Sequence, residues 1–436
     1  MANTYLQRTN QTADWIQNFS ISIWFKKSKT GDAQYIYSNY QDANNRAYIN
    51  ILNDDRIYIY DREGGYDRQE MTSNFKLRDT NAWYHIFFWC HARGGGSGGS
   101  LNDRVKFYVN GVDRINDFSI VLPYGYNADS GFQTGTLSNG NRIGSDPNGN
   151  NTFDGSMSHI HFLDNQPTYD VDSFGETDAT TGEWKIKTDV SVTYGTNGFF
   201  ILKDGNSVTD QSGNGNNFTV GGGTLTNTED CPSNVFNTLS PIDKPVNSSG
   251  SGASIPDLSN GNLTITNTNS AFREVRSNFY VSTGKYYFEA KPTRIDGSGA
   301  FQVGVVARNY SQGSGERRAY QNNGNKYVSN SSSYGATFTA NDIIGVALNL
   351  DDGEITFYKN GVSQGVAVTD MLSGIDDTGW TPAVNCYDAD GHLNFGNGYF
   401  GTTAVSTPGT NASGNGIFEY DVPTGYTALS TKGLNL

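Results

Sequence analysis

Short runs in which apolar and polar residues alternate recur along most of the chain. Residues 19–26, 84–91 and 105–109 show this period of two, and similar runs follow at 285–291 and 343–350. A period of two places successive side chains on opposite faces of a strand. Turns rich in Asp, Asn and Gly separate the runs. Short strands at this spacing predict antiparallel β-sandwiches.

Two Asn-Gly pairs predict tight hairpins. Asn110-Gly111 lies within RVKFYVNGVDR, and Asn360-Gly361 lies within EITFYKNGVSQG. Asn-Gly favours the two-residue turn in which both central residues have positive φ. The motif recurs either because any tight hairpin favours Asn-Gly or because the two predicted sandwiches share a related arrangement of strands. A third tip is predicted at 94–100 (GGGSGGS), which lacks the Lys-Ser/Thr ending of a phosphate-binding loop.

The strand rhythm weakens between residues 165 and 250, where Gly, Asn, Ser and Pro are frequent. Such composition is typical of connecting segments and linkers. The predicted fold class is all-β, with two antiparallel β-sandwiches. We expect the first sandwich over residues 1–165, a β-rich connector and linker over 166–254, and the second sandwich with a C-terminal extension over 255–436.

The amino-acid composition is typical of a strand-rich chain, and the net charge disfavours some classes of binding partner. Glycine accounts for 52 of 436 residues, about 12 % against roughly 7 % in average usage. The net charge of −14 disfavours binding to nucleic acid or insertion at an anionic membrane. The N-terminus has no apolar signal region, so we expect synthesis in a cytoplasm without a signal peptide. Cys90, Cys231 and Cys386 lack metal-site spacing and are expected to be unpaired.

Two sets of segments along the chain resemble known families. The order SISIWFK, NAWYHIFFWCH, DRVKFYVNGV and FDGSMSHIHFLD resembles a laminin-G/concanavalin A-like jelly roll. The order GKYYFEAKP, QVGVVAR, YGATFTANDIIGVALNLDDGEITFYKNGVSQG and GWTPAVNCYDADGHLNFG resembles a SPRY domain. The first resemblance implies a sandwich that often binds carbohydrate, frequently with calcium. The second implies a sandwich that binds partners through loops and lacks catalysis.

The combination of both segments with SGNGNNFTV and the ending FEYDVPTGYTALSTKGL resembles bacteriophage virion proteins of the tail-fibre, head-fibre or decoration type. This resemblance implies a place on the virion surface, with other virion proteins and a host-surface glycan as partners. We expect a homo-oligomer, with a trimer as the first expectation. The alternatives are a capsid-decoration or tail component that binds virion neighbours, a polysaccharide depolymerase, and a cellular adhesin.

Aromatic residues mixed with Arg, Asp and Asn predict where a sugar would bind, because aromatic rings stack on apolar sugar faces. The alternative for each residue is that it packs a loop onto its own sandwich. The candidates, all expected in loops, are Tyr60, Arg62, Tyr66, Arg68, Tyr124, Tyr126, Tyr310, Arg317, Arg318, Tyr320, Tyr334, Trp380 and Tyr387.

Catalytic chemistry is not predicted. Glu176, Asp178 and Glu183 are the nearest match to the carboxylates of a glycoside hydrolase, but their spacing does not put them on one face of one strand. His159 and His161 are two residues apart and share a strand face. That arrangement suits either a pair of metal ligands or a solvated face, and we favour the solvated face. We predict no enzymatic activity.

No cofactor is predicted, and calcium is kept as an option. Carboxylate oxygens are the ligands that calcium prefers in proteins. The candidate ligands are Asp54-Asp55, Asp351-Asp352 and the pair Asp388 and Asp390. None of these matches an EF-hand loop, and Asp351-Asp352-Gly353 is better explained as a hairpin turn.

Overall fold

The computed structural model shows an all-β protein, which confirms the predicted fold class. The chain divides into two compact units, Met1–Asn227 and Thr228–Leu436. No α-helix occurs in the described residues, and none of their helical segments is long and apolar enough to cross a membrane. The described residues contain three short 3-10 helices, Ile115–Asp117, Val171–Ser173 and Gly433–Asn435. The residues that the structure describes are 3–8, 18–91, 104–122, 132, 140–165, 170–203, 205, 208–245, 254–308, 317–372 and 379–435.

The first unit contains sixteen strands in its described part. They are β1 (Tyr5–Arg8), β2 (Asn18–Lys27), β3 (Gln34–Asp42), β4 (Asn45–Ile51), β5 (Ile57–Glu63), β6 (Tyr66–Ser73), β7 (Tyr84–His91), β8 (Val105–Val109), β9 (Val112–Asp113), β10 (Phe118–Leu122), β11 (Gly140–Ile143), β12 (Gly155–Asp164), β13 (Gly175–Thr177), β14 (Trp184–Ile186), β15 (Phe199–Ile201) and β16 (Thr219–Gly222).

These strands form two large antiparallel sheets around one hydrophobic core. The eight-stranded sheet has the order β10-β6-β5-β4-β3-β11-β1-β16, and the six-stranded sheet has the order β15-β12-β2-β7-β8-β9. In β2, the alternate residues Ile21, Ile23 and Phe25 pack into this core, whereas Ser22 and Trp24 between them lie on the other face. The alternation therefore places one face of each sheet in the core, as expected for a sandwich.

The six-stranded sheet is also covered on its other face. Phe87 and Leu163 of this sheet pack there against Val171, Phe174 and other residues that follow β12. The segment predicted as a connector is thus distributed between the units. Its residues 170–227, including β16, belong to the first unit, and 228–245 belong to the second.

The second unit also contains sixteen strands in its described part. They are β17 (Asp257–Ser259), β18 (Thr264–Asn267), β19 (Arg273–Arg276), β20 (Lys285–Ile295), β21 (Phe301–Ala307), β22 (Arg317–Gln321), β23 (Asn325–Val328), β24 (Asn330–Ser333), β25 (Ile344–Asn349), β26 (Glu354–Lys359), β27 (Val362–Val368), β28 (Trp380–Cys386), β29 (Ala389–Asn394), β30 (Tyr399–Phe400), β31 (Thr403–Ala404) and β32 (Thr427–Ala428).

Two sheets again enclose a core. One has the order β17-β18-β29-β20-β25-β26-β27, with β32 added in parallel to β20, and the other has the order β19-β28-β21-β22-β23-β24. The C-terminal residues pack on the outer face of the first of these sheets, where Phe418 and Val422 contact Tyr287 and Ala347. This segment extends the sandwich with a further apolar layer.

Candidate functional site

The outer face of the eight-stranded sheet of the first unit carries a group of tyrosines. In β4, Ala47 and Ile49 enter the core, which leaves Tyr48 on the opposite face. The same alternation in β5 places Tyr58 and Tyr60 on that face. Strand pairing brings Tyr48 directly opposite Tyr60. We call this group the tyrosine face and define it as Tyr35, Arg46, Tyr48, Tyr58, Tyr60 and Arg62.

Tyr48 lies at the centre of the tyrosine face. Its ring centroid is 5.2 Å from that of Tyr35, 6.1 Å from that of Tyr58 and 5.2 Å from that of Tyr60. The rings of Tyr58 and Tyr60 are 6.3 Å apart and nearly parallel, at 15°. Aromatic pairs in this range stabilise each other by about 0.5–1.5 kcal/mol beyond the area that they bury. The result is an aromatic cluster across three strands, in which Tyr60 is buried at 7 % exposed and Tyr35, Tyr48 and Tyr58 stay partly exposed.

Acidic residues of β6 hold two of the hydroxyl groups. The Tyr58 hydroxyl donates to Glu70 Oε1 at 3.1 Å, and the Tyr60 hydroxyl donates to the carboxylate of Asp67. Arg62 Nη1 donates to the same Asp67 oxygen at 2.9 Å. Burial, with the neighbouring Tyr48 and Glu70, raises the pKa of Tyr58 well above its usual range. The face therefore keeps neutral phenols, which act as hydrogen-bond donors near neutral pH.

Arg46 differs from the other arginine of the face. Its guanidinium carbon lies 5.6 Å from the centroid of the Tyr60 ring. Among the residues that the structure describes, it makes no ion pair, whereas Arg62 is paired with Asp67 at 2.9 Å. Arg46 also lies near enough to Tyr35 and Tyr48 for its charge to lower their pKa against the larger, raising effect of burial. The tyrosine face therefore includes a half-buried cation without a carboxylate partner in the described part of the chain.

The predicted site residues of the first unit do not all lie together in the structure. Tyr60 and Arg62 belong to the tyrosine face, and they lie in strand β5 rather than in a loop. Tyr60 is only 7 % exposed, which corrects the expectation that its ring is open to a ligand. Tyr66 is 69 % exposed at the start of β6, and Arg68 stacks on it at 5.4 Å while pairing with Glu63 at 2.6 Å. Tyr124 and Tyr126 lie outside the described residues, as does the predicted glycine tip at 94–100.

Three tyrosines of this face, Tyr35, Tyr48 and Tyr58, are not among the predicted site residues. A signal for two of them exists, because tyrosines occupy alternate positions in RIYIYDR and one tyrosine occupies the matching phase of RAYINI. That period places them on one face of each strand. Which tyrosine lies beside which depends on the register between β4 and β5, which pairs Tyr48 with Tyr60 and Asn50 with Tyr58.

In the second unit, several predicted residues are structural. Tyr320 and Trp380 are buried in the core, at 0 % and 1 % exposed, so neither offers a ring face to a ligand. This corrects the expectation that they lie in binding loops. The Tyr334 hydroxyl donates to the carbonyl of Gly365. Tyr387 is half-buried beside the exposed ring of Phe272, at 5.4 Å. Tyr310 lies outside the described residues.

The neighbouring Arg317 and Arg318 point to opposite sides of β22. Arg317 stacks on Tyr327 at 4.4 Å and approaches the buried carboxylate of Glu274 at 3.5 Å. Arg318 stacks on Trp380 at 5.4 Å. Both side chains are almost completely buried, so the predicted pair does not form one cationic surface.

Each acidic pair proposed for calcium has a partner within the chain. Asp55 pairs with the buried Lys27 at 2.7 Å, and Asp352 pairs with Lys285 at 2.9 Å. Asp388 and Asp390 both contact Arg294, at 2.7 and 2.8 Å. Their charges are thus already balanced by basic side chains. Within the described residues, no cluster of three or more potential metal ligands occurs.

The carboxylates weighed for catalysis form a hairpin instead of a cleft. Asp178 accepts hydrogen bonds from the backbone amides of Thr180 and Thr181, and these bonds hold its pKa well below its usual range. Its carboxylate also pairs with Lys185 at 3.0 Å, and Glu176 approaches the same ammonium at 3.7 Å. These contacts give Asp178 a role in the turn between β13 and β14.

The two histidines of β12 are buried, which corrects the expectation of a solvated face. His161 is 1 % exposed, stacks on Phe200 at 3.9 Å and shares a hydrogen bond with the Tyr194 hydroxyl at 2.9 Å. His159 also lies against Phe200, at 5.6 Å, and a β-bulge separates it from the regular pairing of β12 with β2. The residues that follow β12 cover this face and exclude water from it.

Comparisons with known proteins support both resemblances. Residues 1–170 match the family model of the concanavalin A-like lectin/glucanases superfamily, and residues 285–398 match that of the SPRY domain. The chain is 31 % identical over 98 residues to a Ran-binding proteins 9/10 homolog of Drosophila melanogaster, which covers 21 % of this chain. It is 31 % identical over 134 residues to the E3 ubiquitin-protein ligase RKP of Arabidopsis thaliana, which covers 29 % of this chain. The matches span only 10 % of the length of each relative.

Solved structures similar to parts of the chain include the SPRY domain of human HERC1. That match has 21 % identity and a TM-score of 0.27, and it covers 30 % of this chain and 85 % of the other. A heptameric SAP-like pentraxin from Limulus polyphemus matches with 16 % identity and a TM-score of 0.26, covering 38 % of this chain and 72 % of the other. By its matches to the two family models, the chain combines a concanavalin A-like domain in residues 1–170 with a SPRY domain in residues 285–398.

Proposed function

We propose that this chain is a non-enzymatic binding protein of the bacteriophage virion surface and that its first unit attaches to host-surface glycan. The observation that carries the glycan part is the tyrosine face. Three partly exposed rings, those of Tyr35, Tyr48 and Tyr58, surround the buried ring of Tyr60. Phenol hydroxyls and two guanidinium groups border them. Sugars bind to such surfaces because their apolar faces stack on rings while their hydroxyls form hydrogen bonds with polar groups.

The binding surface of this proposal is a sheet face rather than a set of loops. Rings that are held by strand pairing lose little conformational freedom when a ligand binds, which favours affinity. A single face of this kind binds weakly, and several copies on one particle increase the overall affinity without new contacts. A homo-oligomer, with a trimer as the first expectation, fits this mechanism.

The virion location rests on the resemblance of the combined segments to phage virion proteins. Under this proposal the SPRY domain docks to other virion proteins, since one curated relative in this region bears the name of a Ran-binding protein. The principal alternative is a capsid-decoration or tail component whose surfaces all contact virion neighbours. Immunogold labelling of intact particles distinguishes them: a decoration protein coats the shell, whereas an attachment protein is concentrated at projecting fibres. Label on neither head nor tail would overturn the virion proposal.

The glycan part is tested with the full chain on immobilised host polysaccharide. We expect Tyr48→Ala to weaken binding about five- to tenfold, because loss of one stacking ring costs about 1–1.4 kcal/mol. Tyr48→Phe should keep most of the binding, since it keeps the ring. Tyr66→Ala is the matched control, because Tyr66 is exposed and lies outside the tyrosine face.

Equal binding by wild type and Tyr48→Ala, with unchanged melting temperatures, would reject the tyrosine face as the glycan site. The depolymerase alternative has its own measurement. Loss of polymer viscosity during incubation with the wild-type chain would show cleavage and contradict the non-enzymatic part of the proposal.

A further inference from the structure

We propose that the tyrosine face selects acidic glycans and that Arg46 binds the carboxylate of a uronic acid residue. This inference rests on the proposed glycan function and specifies its substrate class. Arg46 is half-buried near the beginning of β4, beside Tyr60, and makes no ion pair within the described residues. Its guanidinium forms a planar fork of donors that matches a carboxylate in a two-bond geometry.

The surroundings of Arg46 show that its position is unfavourable for the fold alone. Strand pairing places Arg46 directly opposite Arg62 on the neighbouring strand. Like charges directly opposite each other destabilise a sheet. Asp67 compensates Arg62, at 2.9 Å, but no described carboxylate compensates Arg46. An anion bound above Arg46 would balance this charge. Ligand binding would therefore explain why an arginine occupies this position.

The position of Arg46 also fits the geometry of a stacked sugar. Its guanidinium carbon is 5.6 Å from the centroid of Tyr60, and Tyr60 is 5.2 Å from Tyr48. Tyr60 itself is only 7 % exposed, so the ring that a sugar can reach is that of the half-buried Tyr48. A pyranose ring stacked on Tyr48 would hold its ring substituents within reach of Arg46. The remaining phenols border the same ring and would meet its hydroxyls.

The number of uncompensated cations on the tyrosine face favours a uronate over a nucleic acid. Aromatic rings and arginine also bind single-stranded nucleic acid, but such proteins track the phosphates with many basic residues. On the tyrosine face, Arg62 is already paired with Asp67, which leaves one uncompensated cation in the described part. One cation suits a single carboxylate.

The test compares uronate oligosaccharides with their methyl esters, which keep the sugar rings and remove the charge. Tetramers of galacturonate, glucuronate and mannuronate serve as probes, each beside its own ester, in calorimetric titrations of the full chain. We expect at least one uronate to bind more than about tenfold tighter than its ester. Arg46→Gln should abolish that preference and leave the affinity for the ester within about twofold.

Arg68→Gln is the matched control, because Arg68 also stacks on a tyrosine but is paired with Glu63 and lies outside the tyrosine face. It should keep the preference for the uronate. The inference is overturned if esters bind as tightly as uronates, if Arg46→Gln keeps the preference, or if a single-stranded oligonucleotide binds more tightly than every uronate. In the first two cases, Tyr48→Ala separates failure of this inference from failure of the proposed function. If that variant loses binding to the ester, the tyrosine face still binds glycan and the proposed function stands.

Discussion

Asn110 and Asn360 make the same pair of hydrogen bonds in two different sandwiches. The backbone amide of His85 donates to Asn110 Oδ1 at 2.7 Å, and that of Ile343 donates to Asn360 Oδ1 at 2.8 Å. In return, each asparagine donates its own amide to the carbonyl of the same partner residue, at 2.9 and 2.8 Å. Their φ angles are 48° and 49°. The repeated FYxNGV segment therefore has one structural role in both units.

The shared role predicts a graded loss of stability at these positions. Asn360→Gly removes the side-chain bond to Ile343 but tolerates positive φ, and it should cost about 1 kcal/mol. Asn360→Ala loses the same bond and also strains the backbone, which adds about 1–2 kcal/mol. Calorimetric unfolding of the full chain measures both variants. Equal unfolding temperatures for the two would contradict the backbone part of this explanation.

Two features require glycine at position 361, namely the positive φ of its backbone and the close approach of the Tyr420 ring. Gly361 has φ of +77°, and a Cβ atom there would lie 2.7 Å from the Tyr420 ring. Gly365 has φ of +84° but open space around a Cβ position. We expect Gly365→Ala to cost about 1 kcal/mol through strain alone. Gly361→Ala should cost more, because the Tyr420 ring must move.

Tyr420→Ala separates the two causes for Gly361. In that background, the additional cost of Gly361→Ala should approach the cost of Gly365→Ala. The double-mutant cycle from urea unfolding measures this coupling. A full additive cost in the double variant would show that the ring contact is irrelevant.

His85 makes the first unit sensitive to acid. Trp184 Nε1 donates to His85 Nδ1 at 3.0 Å, so the neutral ring carries its proton on Nε2 and donates it to Ser22 at 2.8 Å. Burial lowers the pKa of His85 to about 3. Because the unfolded pKa is higher, near 6.5, its contribution to stability is full above pH 6.5 and is lost as the pH falls toward 3.

The measurement is the unfolding free energy of the full chain between pH 7 and pH 4. The loss attributable to His85 over this range amounts to at most about 3 kcal/mol. His85→Gln cannot titrate, so its pH dependence should be flatter than that of the wild type. Parallel curves for both proteins would assign the acid sensitivity to other groups.

Glu289 in the second unit produces the opposite pH dependence. Its buried carboxylate accepts backbone amides of Glu419 and Tyr420, both at 3.0 Å, and desolvation raises its pKa to about 7. Its folded pKa lies above the unfolded value, so the contribution is full below about pH 4.5 and is lost as the pH rises through 7. Glu289→Gln should remove this dependence between pH 5 and pH 8.

The same variant should be less stable than the wild type at pH 5, because its amide nitrogen cannot accept from a backbone N–H. Glu419→Gln serves as the control, since it removes a carboxylate from the same segment but keeps the backbone donor. Thermal melts at the two pH values provide the comparison. An unchanged pH slope in Glu289→Gln would exclude Glu289 as its source.

The contacts of Arg294 lead to a prediction of how the stability of the chain responds to calcium and to chelators. Its guanidinium contacts Asp388 and Asp390 at 2.7 and 2.8 Å and also pairs with Asp296. Since this cation already fills the space between the carboxylates, a chelator should leave the melting temperature of the wild type unchanged. Arg294→Ser removes the cation, and millimolar calcium should then raise the melting temperature of this variant. A decrease in wild-type stability with chelator would instead reveal a bound metal ion.

The sequence by itself determined the fold class and the hairpins. Alternation at a period of two requires strands with one face in a core, and Asn-Gly supplies the positive φ that a tight turn needs. Both signals are local, so they need no knowledge of distant residues. The strands around Ile21, Phe88 and Val346 and the hairpins at Asn110 and Asn360 lie where the local pattern predicts them.

Only the tertiary structure decided which polar and aromatic side chains are available. The alternation in β12 predicted a solvated face, but later residues cover it and bury His159 and His161. Likewise, Tyr60 gains its aromatic neighbours through the register of β4 on β5. Within the described part of the chain, Asp67 pairs with Arg62, whereas Arg46 makes no ion pair. Register and covering layers depend on contacts between distant segments, which composition and local spacing do not specify.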